Sequence, residues 1–270
     1  MKDEFEKANP GVEILLEAAG SVQCARKITD LNKDCDIMAS ADYSIIDQML
    51  IPDYADWNIH FATNEMTIVF HDASKYANEI NEHNWYNILL KDDVIYGRSD
   101  PNADPCGYRT LLTTQLAEKY YNLPGLTEKI KSKNQEYIRP KEVDLLALLE
   151  SNSIDYIFLY RSVAQQHGLK YVSLPDSVNL KDPLLNDYYQ LVSVEINGSQ
   201  PGEKLEQKGQ AMVYGLTILK NAPNKALAEK FVQFVLDDNG GRKILENNGQ
   251  PALKLTKPEY RNKIPVDIQA

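Results

Sequence analysis

The chain has 270 residues and a formal net charge of −10, from 29 basic and 39 acidic side chains. Apolar residues are 43% and charged residues 25%, a globular balance that excludes broad disorder and supplies one large core or two ordinary ones. The acidic surplus excludes a nucleic-acid footprint and a polybasic membrane surface, and the longest charge-free stretch, Gly209 to Leu219, falls well short of the roughly 20 residues that span a bilayer.

In chain order, Val12-Glu13-Ile14-Leu15-Leu16 predicts a strand. Gly20-Ser21 then opens a helix with Cys24, Ala25, Ile28 and Leu31 at helical spacing. A short strand over Asp36 to Ala39 precedes a helix from Tyr43 to Leu50. Met66 to Phe70 and Val94 to Gly97 predict strands, and Pro105 to Tyr121 and Lys141 to Glu150 predict helices. Ile154 to Tyr160 is an apolar strand, Ala211 to Leu219 another, and Ala226 to Leu236 an amphipathic helix. Helices alternating with short apolar strands predict an α/β architecture of mostly parallel sheets covered on both faces. Asn197 to Gly202, rich in glycine and proline, is the best loop, and it holds the glycosylation sequon Asn197-Gly198-Ser199. The chain opens Met1-Lys2-Asp3-Glu4 with no apolar leader, so a secreted protein would be a mature form. Three cysteines (Cys24, Cys35, Cys106) give neither a disulfide framework nor metal-ligand spacing, though one bridge stays open.

In doubly wound sheets, ligands sit beyond the carboxyl ends of strands, where helix N-termini point. Three junctions answer to that description. At Glu17-Ala18-Ala19-Gly20-Ser21 a strand ends and a serine starts a helix; capping is the simpler reading, and an anion site built from free N–H groups and a hydroxyl is the functional one. Asp104 followed by Pro105 is a strong helix start, with Cys106 in the first turn, where the helix dipole lowers a thiol pKa and permits a nucleophile. A buried structural cysteine is the commoner outcome, and an arginine at Arg109 is more often solvated or paired than bound to an anion. Glu142 begins the apolar helix Leu145 to Leu149, above Leu146 and Leu149 on its buried face; dipole compensation of about 0.3–1 kcal/mol explains it without a ligand. Tyr160 ends an apolar strand, where a ligand-facing hydroxyl or plain core-edge packing fits equally.

Five stretches follow one another in a familiar order: Glu17 to Ser21, Ala39-Ser40-Ala41-Asp42-Tyr43, Asn84-Trp85-Tyr86-Asn87-Ile88-Leu89, Asp104-Pro105-Cys106-Gly107-Tyr108-Arg109 and Ile157-Phe158-Leu159-Tyr160. In this order the chain resembles the archaeal-type molybdate/tungstate-binding proteins, extracellular solute-binding components of oxyanion ABC importers. The tail, from Ala228-Glu229-Lys230-Phe231 through Phe234, Gly241, Ile244-Leu245 and Gly249-Gln250-Pro251, is similar to that of many periplasmic-type binding proteins.

The resemblance implies a two-lobed periplasmic-binding-protein-like fold of type II, each lobe a mixed, mostly parallel sheet flanked by helices. Lobe I would comprise residues 1–66 and 196–270, and lobe II residues 67–195, with an oxyanion held in the cleft. Carried over by position, Ser21 offers a hydroxyl and N–H, Asp104, Pro105 and Cys106 form a helix-start contact, and Glu142 and Tyr160 complete the site. The carboxylates of Asp104 and Glu142 would touch the molybdenum or tungsten atom directly, an attraction that sulfate cannot offer. The family's opening strand and its His-Ala-Gly-Ser-type loop have no counterpart in these residues, and the segment from Asn134 to Glu142 is shorter than the family's hairpin-like insertion. The resemblance further implies no cofactor and no catalysis, a monomer handing its ligand to ABC permease subunits, and a place on the extracellular face or in the periplasm, anchored through a segment not present here. A binder of sulfate or phosphate, an enzyme with Cys106 as nucleophile, and a ligand-free regulatory domain are the alternatives.

Overall fold

The computed structural model describes residues 1–197 and 204–269; apart from Asn197, the predicted loop Asn197 to Gly202 and its sequon lie outside them. The chain divides into two units, Met1–Thr63 with Val213–Ala270, and Asn64–Met212.

The first unit is built on four strands in the order Ile37–Ser40, Val213–Ile218, Ile59–Thr63, Ala252–Thr256. Every neighbouring pair is antiparallel. The chain leaves this unit at the end of Ile59–Thr63 and returns along Val213–Ile218, so two neighbouring strands that go and come back must oppose each other. Side chains alternate across the sheet. Ile218 joins Trp57, Ile59, Val232 and Val235 in one apolar cluster, and Leu219 joins Ala25, Ile28, Met38, Ile46 and Leu50 in another. The helix Lys225–Leu236 buries Ala228, Val232, Val235 and Leu236, the stripe its periodicity predicts. The predicted helix over Tyr43 to Leu50 forms as Tyr43–Ile45 running into a wider, π-type turn over Ile46–Leu50.

The second unit carries a five-stranded sheet in the order Ile138–Arg139, Tyr96–Ser99, Tyr156–Tyr160, Met66–Phe70, Lys170–Ser173. The first three strands are mutually parallel; Met66–Phe70 runs antiparallel to both of its neighbours. Tyr156, Ile157, Phe158 and Leu159 are all fully buried because their strand is central and covered on both faces, which is why the segment reads as an unbroken apolar run. Trp85, also fully buried, meets Phe158 edge-on with ring centroids 6.0 Å apart, so the Asn84 to Leu89 stretch serves the core through Trp85, Ile88 and Leu89. A hairpin of Ser193–Asn197 and Lys204–Lys208 lies outside this sheet.

Three expectations change. The sheets are not mostly parallel: only the pairs made by Tyr96–Ser99 with Ile138–Arg139 and with Tyr156–Tyr160 are. Residues 12–20 join no helix or strand, and Leu15 and Leu16 are 83% and 76% exposed. An apolar run shows that a segment can pair, not that a neighbour exists to pair with it. The three thiols are free, Cys24 and Cys35 half-buried and Cys106 buried. Among the described residues no helix is long and apolar enough to cross a membrane.

Because Leu15 and Leu16 face solvent, replacing both with serine is expected to change unfolding free energy by no more than about 0.5 kcal/mol per site in urea. A loss of about 2 kcal/mol or more would mean that these side chains sit in a core.

Candidate functional site

The three mutually parallel strands of the second unit each pass, at their carboxyl ends, into a helix. Ile138–Arg139 leads to Glu142–Glu150, Tyr96–Ser99 to Pro105–Tyr120, and Tyr156–Tyr160 to Arg161–Gln166. Three helix starts therefore share one edge of the sheet, the place where such sheets hold ligands. Asp104, Glu142 and Tyr160 stand at these three starts.

Asp104 is 8% exposed and caps the Pro105–Tyr120 helix. Its Oδ1 accepts from the Cys106 N–H at 3.3 Å, and its Oδ2 accepts from the Glu142 N–H at 2.9 Å. One carboxylate thus ties two helix N-termini together. The loop ahead of it is closed by Asp100, whose N–H donates to Arg139 O at 2.8 Å and whose carbonyl accepts from the Asp104 N–H at 2.9 Å. Gly107 makes this closure possible: a Cβ there would lie 2.5 Å from the Asp100 carbonyl carbon and 2.6 Å from the Pro101 nitrogen. The glycine of the Asp-Pro-Cys-Gly-Tyr-Arg stretch is a backbone-approach requirement.

Glu142 is half-buried, and its carboxyl is pushed up to about 7, first by burial and next by hydrogen bonding to Asp104. Near neutral pH the Glu142 carboxyl therefore still holds its proton for much of the time. Tyr160 receives a hydrogen bond from Arg109 Nη1 at 2.8 Å. Burial lifts its phenol well above the usual range even though Arg109 pulls the other way, so it remains a neutral O–H donor. Pro105 is exposed at the first helical position and has no N–H to offer.

Cys106 is fully buried, and its Sγ lies 3.6 Å from the Phe158 carbonyl oxygen. Burial pushes its thiol up, with Asp104 adding to the shift. The helix dipole was expected to favour a thiolate; enclosure in apolar surroundings outweighs it.

Ser21 belongs to the first unit, half-buried at the start of the helix Ser21–Thr29, with Gly20 as its cap residue. Lys27 holds the neighbouring Glu17 at 2.6 Å, and together with Lys33 it lowers that carboxyl to about 2. The Ala39 to Tyr43 stretch is a strand-to-helix junction of this unit, capped by Asp42, which accepts from the Ser44 N–H at 2.9 Å. Five of the six residues singled out from the sequence thus lie in the second unit and one in the first. Among the described residues no group of three or more His, Cys, Asp or Glu side chains is arranged to hold a metal ion.

Two features escaped sequence reasoning. One is the Arg109–Tyr160 pair. The other is a buried polar knot beside Tyr160. Glu65, 2% exposed, accepts from Arg161 Nη1 and Asn179 Nδ2, each at 2.9 Å, and Asn64 Nδ2 donates to Ser162 Oγ at 2.8 Å. An acid abutting the apolar run Met66 to Phe70 and an arginine abutting Ile154 to Tyr160 were the available signals. Only the antiparallel register, with Met66 opposite Tyr160, brings them together.

Residues 1–250 match the family described as bacterial extracellular solute-binding protein. A solute-binding protein of Petrotoga mobilis is 48% identical over 266 residues, covering 98% of this chain and 83% of its own. The molybdate/tungstate-binding protein WtpA of Thermococcus kodakarensis is 45% identical over 268 residues, covering 90% of this chain and 75% of its own. Among solved structures, the substrate-binding domain of a putative molybdenum ABC transporter from Clostridium difficile superposes with a TM-score of 0.63 at 18% identity, over 93% of this chain and 91% of that one. The likeness at that identity establishes the type II periplasmic-binding-protein fold.

Two outcomes follow from this geometry. Gly107→Ala is expected to cost about 1–3 kcal/mol in chemical unfolding, since backbone must give way; an unchanged midpoint would show that the loop is not packed as described. Glu142 holds its proton to about pH 7 when folded but only to 4.5 when unfolded. Its contribution to stability is therefore full below pH 4.5 and lost as pH rises through 7. Melting temperatures of Glu142→Gln and the parent chain, compared from pH 4.5 to 7.5, should diverge with the parent falling faster; parallel curves would contradict the assignment.

Proposed function

We propose, because this chain belongs to the bacterial extracellular solute-binding protein family, that it captures molybdate or tungstate and delivers it to the permease subunits of an ABC importer. The observation that carries the reading is the Asp104–Glu142 pair, hydrogen-bonded across two helix starts, with Tyr160 at the third start on the same sheet edge. Helix N-termini and neutral O–H groups attract an oxyanion. Two carboxyl groups repel it unless they bond to its central atom, which tungsten and molybdenum accept and sulfur does not. An ionised carboxylate pair offers sulfate no such bond. Support also comes from the Thermococcus kodakarensis relative, itself named for molybdate and tungstate.

In this reading Asp104 and Glu142 contact the metal atom of the ligand, and the Tyr160 hydroxyl donates to its oxygens next to the helix start at Pro105 and Cys106. The task is carriage without catalysis or a cofactor, performed by a monomer at the extracellular face or in the periplasm. An enzyme using Cys106 is disfavoured by the buried, protonated thiol.

Thermal-shift screening against tungstate, molybdate, sulfate and phosphate tests the proposal. A ligand present at 100 times its dissociation constant stabilises by about 2.7 kcal/mol, so tungstate and molybdate should raise the melting temperature and sulfate should not. By calorimetry, Glu142→Gln and Asp104→Asn should weaken tungstate by more than they alter sulfate. Unchanged tungstate affinity in both variants, or a shift with sulfate or phosphate alone, would overturn the reading.

A further inference from the structure

We propose that Arg109 is a positioning residue for ligand capture, acting through Tyr160: by donating to the phenol oxygen it leaves the phenol hydrogen directed away from the guanidinium, toward the ligand. The proposal rests on the oxyanion reading above. Arg109 lies in the second turn of the Pro105–Tyr120 helix, and Tyr160 ends the strand parallel to the one that feeds this helix. Their side chains meet at 2.8 Å, Nη1 to Oη. A guanidinium has five donors and no acceptor. A phenol paired with it can only accept from it, so its own O–H must find another acceptor.

The pair is locked from several sides. The Arg109 Cζ stands 5.6 Å from the Tyr160 ring centroid and 5.7 Å from that of Tyr108, which narrows its rotamers. Tyr160 is fixed at its backbone by the Met66 register. Arg109 also places a permanent positive charge within reach of Cys106, which feels Asp104 and Glu142 as well. Arg109 thus differs from a direct anion-binding arginine in what its removal does: its effect vanishes when the Tyr160 hydroxyl is absent.

The test is a double-mutant cycle on tungstate affinity, read by calorimetry, with ligand-free melting curves for every variant. Arg109→Gln alone and Tyr160→Phe alone should each weaken tungstate on the order of 10- to 100-fold, as expected for a hydrogen bond to a charged partner. In the Tyr160→Phe background, Arg109→Gln should cost no more than about twofold further. Arg109→Lys, which keeps a donor and the charge, should recover most of the lost affinity. Full additivity in the cycle would mean that Arg109 meets the ligand directly and would overturn the proposal. Equal loss in both backgrounds with a fallen ligand-free melting temperature and no recovery by lysine would assign Arg109 a merely structural role, and also overturn it. Failure of the parent chain to bind tungstate would instead defeat the underlying reading, a result separable from either.

Discussion

The second unit depends on one shared carboxylate. Asp104 accepts from the first turn of its own helix and from the first residue of the next, at Cys106 and Glu142. Each helix start carries unpaired N–H groups and roughly half a positive charge. Two starts meeting one Asp come close to neutralising it. That balance fixes the spacing between the ends of two parallel strands, and the Gly107 contact with Asp100 holds the connecting loop against the same point.

The balance also answers an objection that composition raises. A chain at −10 with two acids at one sheet edge looks hostile to a dianion. The Asp104 carboxylate is met by two helix starts, and at Glu142 burial and the acidic neighbour outweigh its own backbone N–H and Lys141, lifting its carboxyl to about 7. Tyr160 stays neutral, and Arg109 adds a cation. The local charge is far less negative than a count of acids suggests. Under the proposed reading, selectivity would then reside in what the carboxyl oxygens bond to, rather than in bulk attraction.

Much of this was legible from residues, for definite reasons. Asp-Pro at 104 and 105 is a strong local helix start and behaves as one. Ile154 to Tyr160 read as an apolar strand, and at Ile157 to Leu159 burial on both faces is what leaves no polar alternation. What remained hidden was non-local. Nothing in Val12 to Leu16 says whether a partner strand exists, and nothing near Tyr43 predicts the wider π-type turn. The antiparallel course of the first sheet follows from where the chain leaves and returns, a property of topology. Cys106 was read in its helix and not in its surroundings, so the dipole was visible and the enclosure was not. Arg109 and Tyr160 lie 51 positions apart and meet only through strand pairing.

The polar knot at Glu65 completes the support of Tyr160 from the side opposite to Arg109 in the chain's order. The Glu65 carbonyl accepts from the Arg161 N–H at 3.0 Å, while its carboxylate holds the Arg161 guanidinium and the Asn179 amide. Asn64 Oδ1 accepts from the Glu65 N–H at 3.0 Å and the Ser162 N–H at 3.4 Å, so the start of one strand and the start of one helix are pinned to a single amide. Burying a charge in this way is a poor device for stability, since apolar residues of equal volume would serve as well or better. It is a good device for geometry, because both carboxylate oxygens and the amide are satisfied in only one arrangement. The knot holds the backbone at Arg161 and Ser162, just after Tyr160, and Arg109 donates to the Tyr160 hydroxyl oxygen. A hydroxyl on a strand end held this way has little freedom left to lose, which is the preorganisation the proposed capture of a small, symmetrical anion would draw on.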